Sequence, residues 1–130
     1  MNNRELSDEL GKLILQEREL TIKILCLINL GFEQRAYLEL GYGSMYDWLT
    51  KKFGYSNSAA SRRIMAAKLL KEVPEIESKI ESGQLNLSTL CTAKRMMSSQ
   101  EQATGKQLSK EFKKIAIQSI ENKRDRKSVV

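Results

Sequence analysis

The chain has 130 residues, of which 41% are hydrophobic, and this length and composition fit one domain with a hydrophobic core. It contains no histidine, two cysteines and no glycine-rich phosphate loop, which excludes His-based acid–base catalysis, His-assisted nucleophiles and the usual zinc sites. Proline occurs once and no alternating β-type run is present, so we predict an all-α fold, a single-domain helical bundle. We expect a non-enzymatic protein with no metal site, no cofactor and no small-molecule substrate.

The first forty residues predict one long amphipathic helix or two shorter ones, with Ser7 as the N-cap and residues 1–5 frayed. The apolar side has near-heptad spacing and consists of Leu6, Leu10, Leu13, Ile14, Leu20, Ile24, Leu27 and Ile28. We interpret this side as core scaffold, and a homodimer built on it stays open as a further role. The apolar run 20–30 is too short and too polar to span a membrane, and the N-terminus lacks the form of a signal peptide. A cytoplasmic protein without a membrane partner is therefore expected.

Residues 44–73 have the layout of a helix-turn-helix, in which two short helices meet at a glycine. Ser44 is predicted to cap the first helix and Gly54 to end it, because glycine enters the left-handed backbone region without strain. Ser56 or Ser58 is predicted to cap the second helix, which ends before the single proline. The apolar stripe of the first helix consists of Met45, Trp48, Leu49 and Phe53.

The second helix of this motif has two different faces. The face predicted to pack is small and apolar and consists of Ala59, Ala60, Ile64, Ala66, Ala67 and Leu70. The opposite face carries Ser58, Ser61, Arg62, Met65 and Lys68. A DNA major groove accepts such a helix, with Arg and short polar side chains near its N-terminus reaching base edges. An ordinary bundle helix with a solvated polar face stays open as the alternative. The helical wheel places Arg63 on the alanine side, where it either reaches solvent or pairs with Glu39 or Asp47.

The distribution of charge favours the DNA interpretation. Residues 1–50 hold five basic and eight acidic side chains, whereas residues 51–130 hold 17 basic and eight acidic ones. A basic half of a chain suits a phosphate backbone, because neutralising phosphates releases counterions. The predicted contacts to double-stranded DNA are Ser56, Ser58, Ser61, Arg62 and Met65 in the groove and Lys51, Lys52 and Lys68 on phosphates.

Two further helices are predicted directly after the helix-turn-helix. The first ends at Gly83 and buries Ile76 and Ile80. The second is capped by Asn86 or Ser88 and contributes the paired methionines at 96 and 97 to the core. The polar stretch 98–105 is predicted to be a loop.

A last helix is predicted from about residue 106 to residue 122, which completes a helical domain over residues 1–122. Its apolar side consists of Leu108, Phe112, Ile115, Ala116 and Ile120, with Lys106, Lys110, Lys113 and Lys114 mostly opposite. That lysine face is either solvated or a second phosphate contact. Residues 123–130 are predicted to be a disordered basic tail.

A set of segments between residues 35 and 88 resembles the N-terminal helical region of a family of bacterial HNH endonucleases. The segments are 35–49 (RAYLELGYGSMYDWL), 54–56 (GYS), 60–70 (ASRRIMAAKLL), 73–76 (VPEI) and 80–88 (IESGQLNLS). In that family the helical region precedes a nuclease domain built on catalytic and metal-binding histidines. This chain has no histidine, so the nuclease activity and the metal are not carried over. The resemblance implies an all-helical module that engages DNA or a partner that delivers DNA.

The segments at 54–56, 60–64, 73–74, 80–83 and 85–88 are also similar to the helix-turn-helix of ParB-like partition proteins. Carried over by position, this second resemblance implies DNA contacts from Ser56, Ser58, Ser61 and Arg62. Two hypotheses follow from the sequence. The first is a non-enzymatic DNA-binding protein, a regulator or a nuclease-family accessory protein. The alternative is a protein–protein interaction or dimerisation module built on the N-terminal helix.

Overall fold

The structure is a computed structural model and describes residues 1–106 and 113–118. Its helices are α1 (Asn3–Gln34), α2 (Ala36–Glu39), α3 (Met45–Asp47), which continues into a π-helical turn (Trp48–Lys52), α4 (Asn57–Glu72), α5 (Ile76–Ser82) and α6 (Leu87–Thr104). Residues 113–118 are helical as well. No strand occurs in these described residues, so the all-α prediction is confirmed.

The N-terminal stretch forms one helix, which begins earlier than predicted. Asn2, not Ser7, is the N-cap of α1, since its side-chain oxygen accepts from the backbone N–H of Glu5 at 2.8 Å. The helix runs through Gly31 and ends at Gln34, followed by the C-cap Arg35 with a left-handed φ of 54°. A Cβ at Gly31 would lie 2.9 Å from Met45 Cε. Glycine at this position therefore lets α3 approach α1 closely.

The face of α1 that packs on the body differs from the predicted stripe. Ile22, Leu25 and Ile28 are buried, while Leu20 and Leu27 are 57% and 65% exposed. Every residue before position 18 is exposed. The prediction that the near-heptad stripe is core scaffold is therefore wrong for its residues from Leu6 to Leu20 and for Leu27, and it is confirmed for Ile28 and in part for Ile24.

The predicted helix caps and the predicted turn are present in the segment from Ser44 to α4. The Ser44 hydroxyl accepts from the backbone N–H of Asp47 at 3.0 Å and caps α3. Gly54 has a φ of +76°, and Ser56 caps α4 by accepting from the N–H of Ala59 at 3.2 Å. The first helix is distorted into a π-helical turn before it reaches this glycine, and the Phe53 side chain is 56% exposed and lies outside the core. The caps and the turn are thus confirmed, and the apolar stripe only in part.

The small residues of α4 form the centre of the core. Ala60, Ala66 and Ala67 have no exposed surface, and the Asn29 amide on α1 donates to the Ala67 carbonyl at 2.9 Å. Alanines allow the backbones of α1 and α6 to come close to α4, which therefore lies between them. The predicted packing face of this helix is confirmed, although Ala59 and Ile64 are only partly buried.

The sixth helix is longer than predicted. Asn86 and Thr89 form a capping box at its start, and it continues to Thr104 before Gly105 ends it with a φ of +69°. The predicted loop at 98–105 is wrong, because the polar residues there occupy the solvent side of a helix. Met97 is buried, while Met96 is 45% exposed, so only one of the two methionines is core.

The 113–118 helix turns a different side inward from the one predicted. Lys113 is only 6% exposed and Ile115 is 61% exposed, which reverses their predicted roles. Lys113 is buried because its ammonium reaches the carboxylate of Glu72 at the end of α4, 3.1 Å away. Residues 107–112 and 119–122 of the predicted last helix and the predicted tail at 123–130 lie outside the described residues.

Candidate nucleic-acid interface

An open groove of about 490 Å³ separates the N-terminal halves of α4 and α6. Four of the predicted DNA-contacting residues line it, namely Ser58, Ser61, Arg62 and Met65. Asn57 and, from α6, Ser88, Cys91, Thr92 and Arg95 complete the lining. Both helices begin near this groove, since residues of their N-terminal halves supply its lining.

The lining residues of this groove include no acidic side chain. Arg62 and Arg95 are both exposed and stand on opposite helices. Between them, the Cys91 thiol donates to the Arg62 carbonyl at 3.5 Å and so ties α6 to α4. Burial raises the pKa of the Cys91 thiol, and the positive charges of Arg95 and Arg62 act in the opposite direction. The thiol is neutral at pH 7 and leaves the groove with a net positive lining.

The hydroxyl groups at the start of α4 do not all have the same role. Ser56 uses its oxygen to cap the helix, and its hydroxyl lies 3.5 Å from that of Ser58. Ser58 is exposed, and Ser61 is partly buried on the next turn. We therefore expect direct contacts from Ser58 and Ser61, with Ser56 acting through the position of the helix end.

The three predicted phosphate lysines do not line the groove. Lys51 and Lys52 are exposed at the end of the π-helical turn, ahead of α4. Lys68 lies near α1, with its ammonium 5.6 Å from the centre of the Phe32 ring. The structure thus brings four predicted residues together and leaves these lysines at the periphery.

Arg63 has a partner that the sequence interpretation did not include. Its guanidinium lies over the Tyr55 ring, 4.3 Å from the ring centre, and donates to the Ala59 carbonyl at 3.0 Å. The predicted pair with an acid such as Glu39 or Asp47 is therefore wrong, while Arg63 is only partly buried. Arg63 holds the turn between the two helices by a cation–π contact and is not part of the groove.

The residues of α6 that line the groove were not predicted from the sequence. Ser88, Thr92 and Arg95 recur at intervals of four and three residues, which places them on one helical face. That spacing was available from the sequence. Nothing in a single sequence places this face beside α4, because the contact joins residues about thirty positions apart.

Comparisons with known proteins add no relative. No protein-family model, no curated protein and no solved structure matches the chain. The resemblances to the HNH endonuclease and ParB-like families therefore stay hypotheses. None of the helices in residues 1–106 and 113–118 combines the length and the apolar character needed to span a bilayer. In the same residues no three Cys, Asp or Glu side chains cluster as metal ligands.

Proposed function

We propose that this chain is a non-enzymatic protein that binds double-stranded DNA through a helix-turn-helix over residues 44–73, with α4 as the recognition helix. The observation that supports the proposal is the acid-free groove flanked by Arg62 and Arg95 at the start of two helices. Anions are favoured at helix N-termini, and arginine pairs well with phosphate and with guanine edges. A cytoplasmic regulator or an accessory protein of a nuclease is the role that such binding fits.

In this proposal some side chains contact bases and others contact phosphates. Arg62, Ser58 and Ser61 reach base edges, since they occupy the first two turns of α4. Arg95 on α6 and the exposed lysines at 51 and 52 hold phosphates, which position the protein without reading sequence. The uneven charge of the chain, with 17 basic against eight acidic residues after position 50, supports the same assignment.

The test is fluorescence anisotropy of a labelled random duplex at several salt concentrations. We expect affinity to fall log-linearly with salt, with a slope of about 0.9 for each phosphate neutralised. Arg95→Ala should lower that slope by about one, and Arg62→Ala should weaken binding by about tenfold. Circular dichroism of each variant checks that the helices are intact.

Lys71→Ala is the matched control. Lys71 is a cation of the same helix, exposed and 3.9 Å from Glu33, and it does not line the groove. Removing it should change affinity by less than about twofold, because surface charges outside the contact contribute little. Absence of binding at low salt would overturn the proposal, and so would equal losses for Lys71→Ala and Arg62→Ala.

A further inference from the structure

Helix α1 carries an apolar stripe that is largely exposed, with only Ile24 partly packed against the core. Its positions alternate in steps of four and three residues and are Leu6, Leu10, Leu13, Glu17, Leu20, Ile24 and Leu27. The five leucines among them are between 54% and 65% exposed. The helix packs on the body through a different face, formed by Ile22, Leu25 and Ile28. An exposed heptad stripe sustained over three heptads is the pattern that one helix offers to another.

The C-terminal half of the same helix borders an open apolar groove of about 680 Å³. Ile24, Leu27 and Leu30 form one wall, and Trp48 and Phe53 on the π-helical turn belong to the other. Leu27 and Phe53 remain 65% and 56% exposed at its rim. The last part of the stripe therefore continues into a groove, while the first part projects from the body.

We propose that a second copy of this chain covers both features in an antiparallel, two-fold symmetric dimer. The N-terminal half of each α1 lies along the groove of the other subunit. In the register that pairs Leu10 with the partner's Leu27, Leu13 meets the partner's Ile24. Leu6 then reaches the end of the groove, beside the partner's Gly31. Each copy supplies one stripe and one groove, so the interface is self-complementary and closes with two subunits.

Glu17 and the surrounding charges select the antiparallel arrangement. A parallel pair would place the two Glu17 carboxylates opposite each other in the seam, whereas the antiparallel pair places each beside the partner's Leu20. Residues 1–20 hold three basic and five acidic side chains. Lys51 and Lys52 are exposed at the end of the π-helical turn whose residues Trp48 and Leu49 line the groove. The acidic half of one helix thus lies toward two exposed lysines of the other subunit.

Sedimentation equilibrium of the full chain at micromolar concentration tests the proposal. We expect the wild type at twice the mass of the 14.9-kDa chain. Leu13→Lys should raise the dimer dissociation constant by at least about tenfold, because it places a charge in the centre of the seam. The control is Leu15→Lys, which changes a leucine of similar exposure, 48%, on another face of the same helical segment. It should remain dimeric, with unchanged helicity in both variants.

Disulfide trapping tests the orientation. In a Cys26→Ser background, a chain with both Leu10→Cys and Leu27→Cys should form a cross-linked dimer on oxidation. Leu10→Cys alone should not cross-link, because the two introduced thiols lie at opposite ends of an antiparallel pair. A monomeric wild type would overturn the proposal, as would equal disruption by Leu13→Lys and Leu15→Lys. Efficient cross-linking of Leu10→Cys with itself would show a parallel pair and overturn the stated arrangement.

Discussion

Glu72 is the acceptor that connects three separate parts of the chain. Its carboxylate, at the end of α4, accepts from Lys94 on α6 at 3.0 Å and from Lys113 at 3.1 Å. The Lys113 side chain is only 8% exposed, and that of Glu72 is 32% exposed. Substitution of Glu72 by glutamine keeps the shape of the side chain and removes its charge. The substitution therefore isolates the electrostatic part of the contact.

The expected destabilisation at pH 7 is about 2 kcal/mol. Each charge-assisted hydrogen bond is worth about 1.5–3 kcal/mol, while the glutamine oxygen still accepts from one of the two ammonium groups and the site is partly open to water. Removing one member of a buried ion pair is costly because the remaining charge stays desolvated. Here that charge is the Lys113 ammonium, which has little access to solvent.

The same contact predicts how this effect depends on pH. Burial acts to raise the pKa of Glu72, but the hydrogen bonds and charges of Lys94 and Lys113 outweigh burial and hold that pKa below its usual value. A depressed carboxyl pKa contributes stability that is fully present above the unfolded-state pKa of about 4.3. This contribution is lost as the pH falls through the lower folded-state pKa. The difference between wild type and Glu72→Gln should therefore shrink between pH 7 and pH 3.

Urea unfolding followed by circular dichroism at pH 7 and pH 3 measures both quantities. Glu33→Gln serves as the control, because its ion pair with Lys71 spans 3.9 Å and both side chains are about 60% exposed. It should cost less than about 0.5 kcal/mol. Equal stabilities of wild type and Glu72→Gln at pH 7 would refute the reasoning. So would a difference that persists unchanged at pH 3, because that pH lies below the unfolded-state pKa and part of the contribution is then lost.

Three further predictions concern local structure. Gly54→Ala should cost about 1–2 kcal/mol in thermal or urea unfolding, since φ is +76° and no atom lies within 4 Å of the added Cβ, so the whole loss is backbone strain. Asn86→Ala should cost about 1 kcal/mol by removing the cap of α6, with Asn86→Ser close to wild type. In the folded protein Cys26 should react readily with a thiol reagent, whereas Cys91 should react only after denaturation. Equal reaction rates for the two thiols would contradict the burial of Cys91.

The features that could be predicted from the sequence are those determined by a few neighbouring residues. Ser44, Ser56 and Asn86 cap helices because each places a side-chain oxygen three residues before a free backbone N–H. Gly54 and Gly83 stop helices because only glycine enters the left-handed region cheaply. Four groove residues also followed from the wheel of a single helix. Such signals need no knowledge of distant contacts.

The errors concern choices between two apolar or two polar faces. Helix α1 has apolar residues on two sides, and periodicity alone does not say which side meets the body. Lys113 was predicted to be solvated or to contact phosphate, whereas it is buried against Glu72, 41 residues earlier in the chain. Arg63 was predicted to pair with an acid or to reach solvent, whereas its guanidinium lies over the ring of Tyr55. A correct prediction would in each case have required knowledge of a tertiary contact, which a single sequence does not specify.

The two proposals have separate consequences, because the residues that line the DNA groove differ from those of the apolar seam, and only Lys51 and Lys52 have a part in both. If the dimer forms, its two-fold axis relates two copies of α4, and the preferred DNA site should contain two half-sites of inverted sequence. Leu13→Lys should then halve the number of phosphates neutralised per complex and leave the groove of each subunit unchanged. Arg62→Ala should instead weaken DNA binding, while the protein still sediments as a dimer. If the protein dimerises but does not bind DNA, only the proposal for α1 holds. If it binds DNA as a monomer, only the proposal for the α4–α6 groove holds.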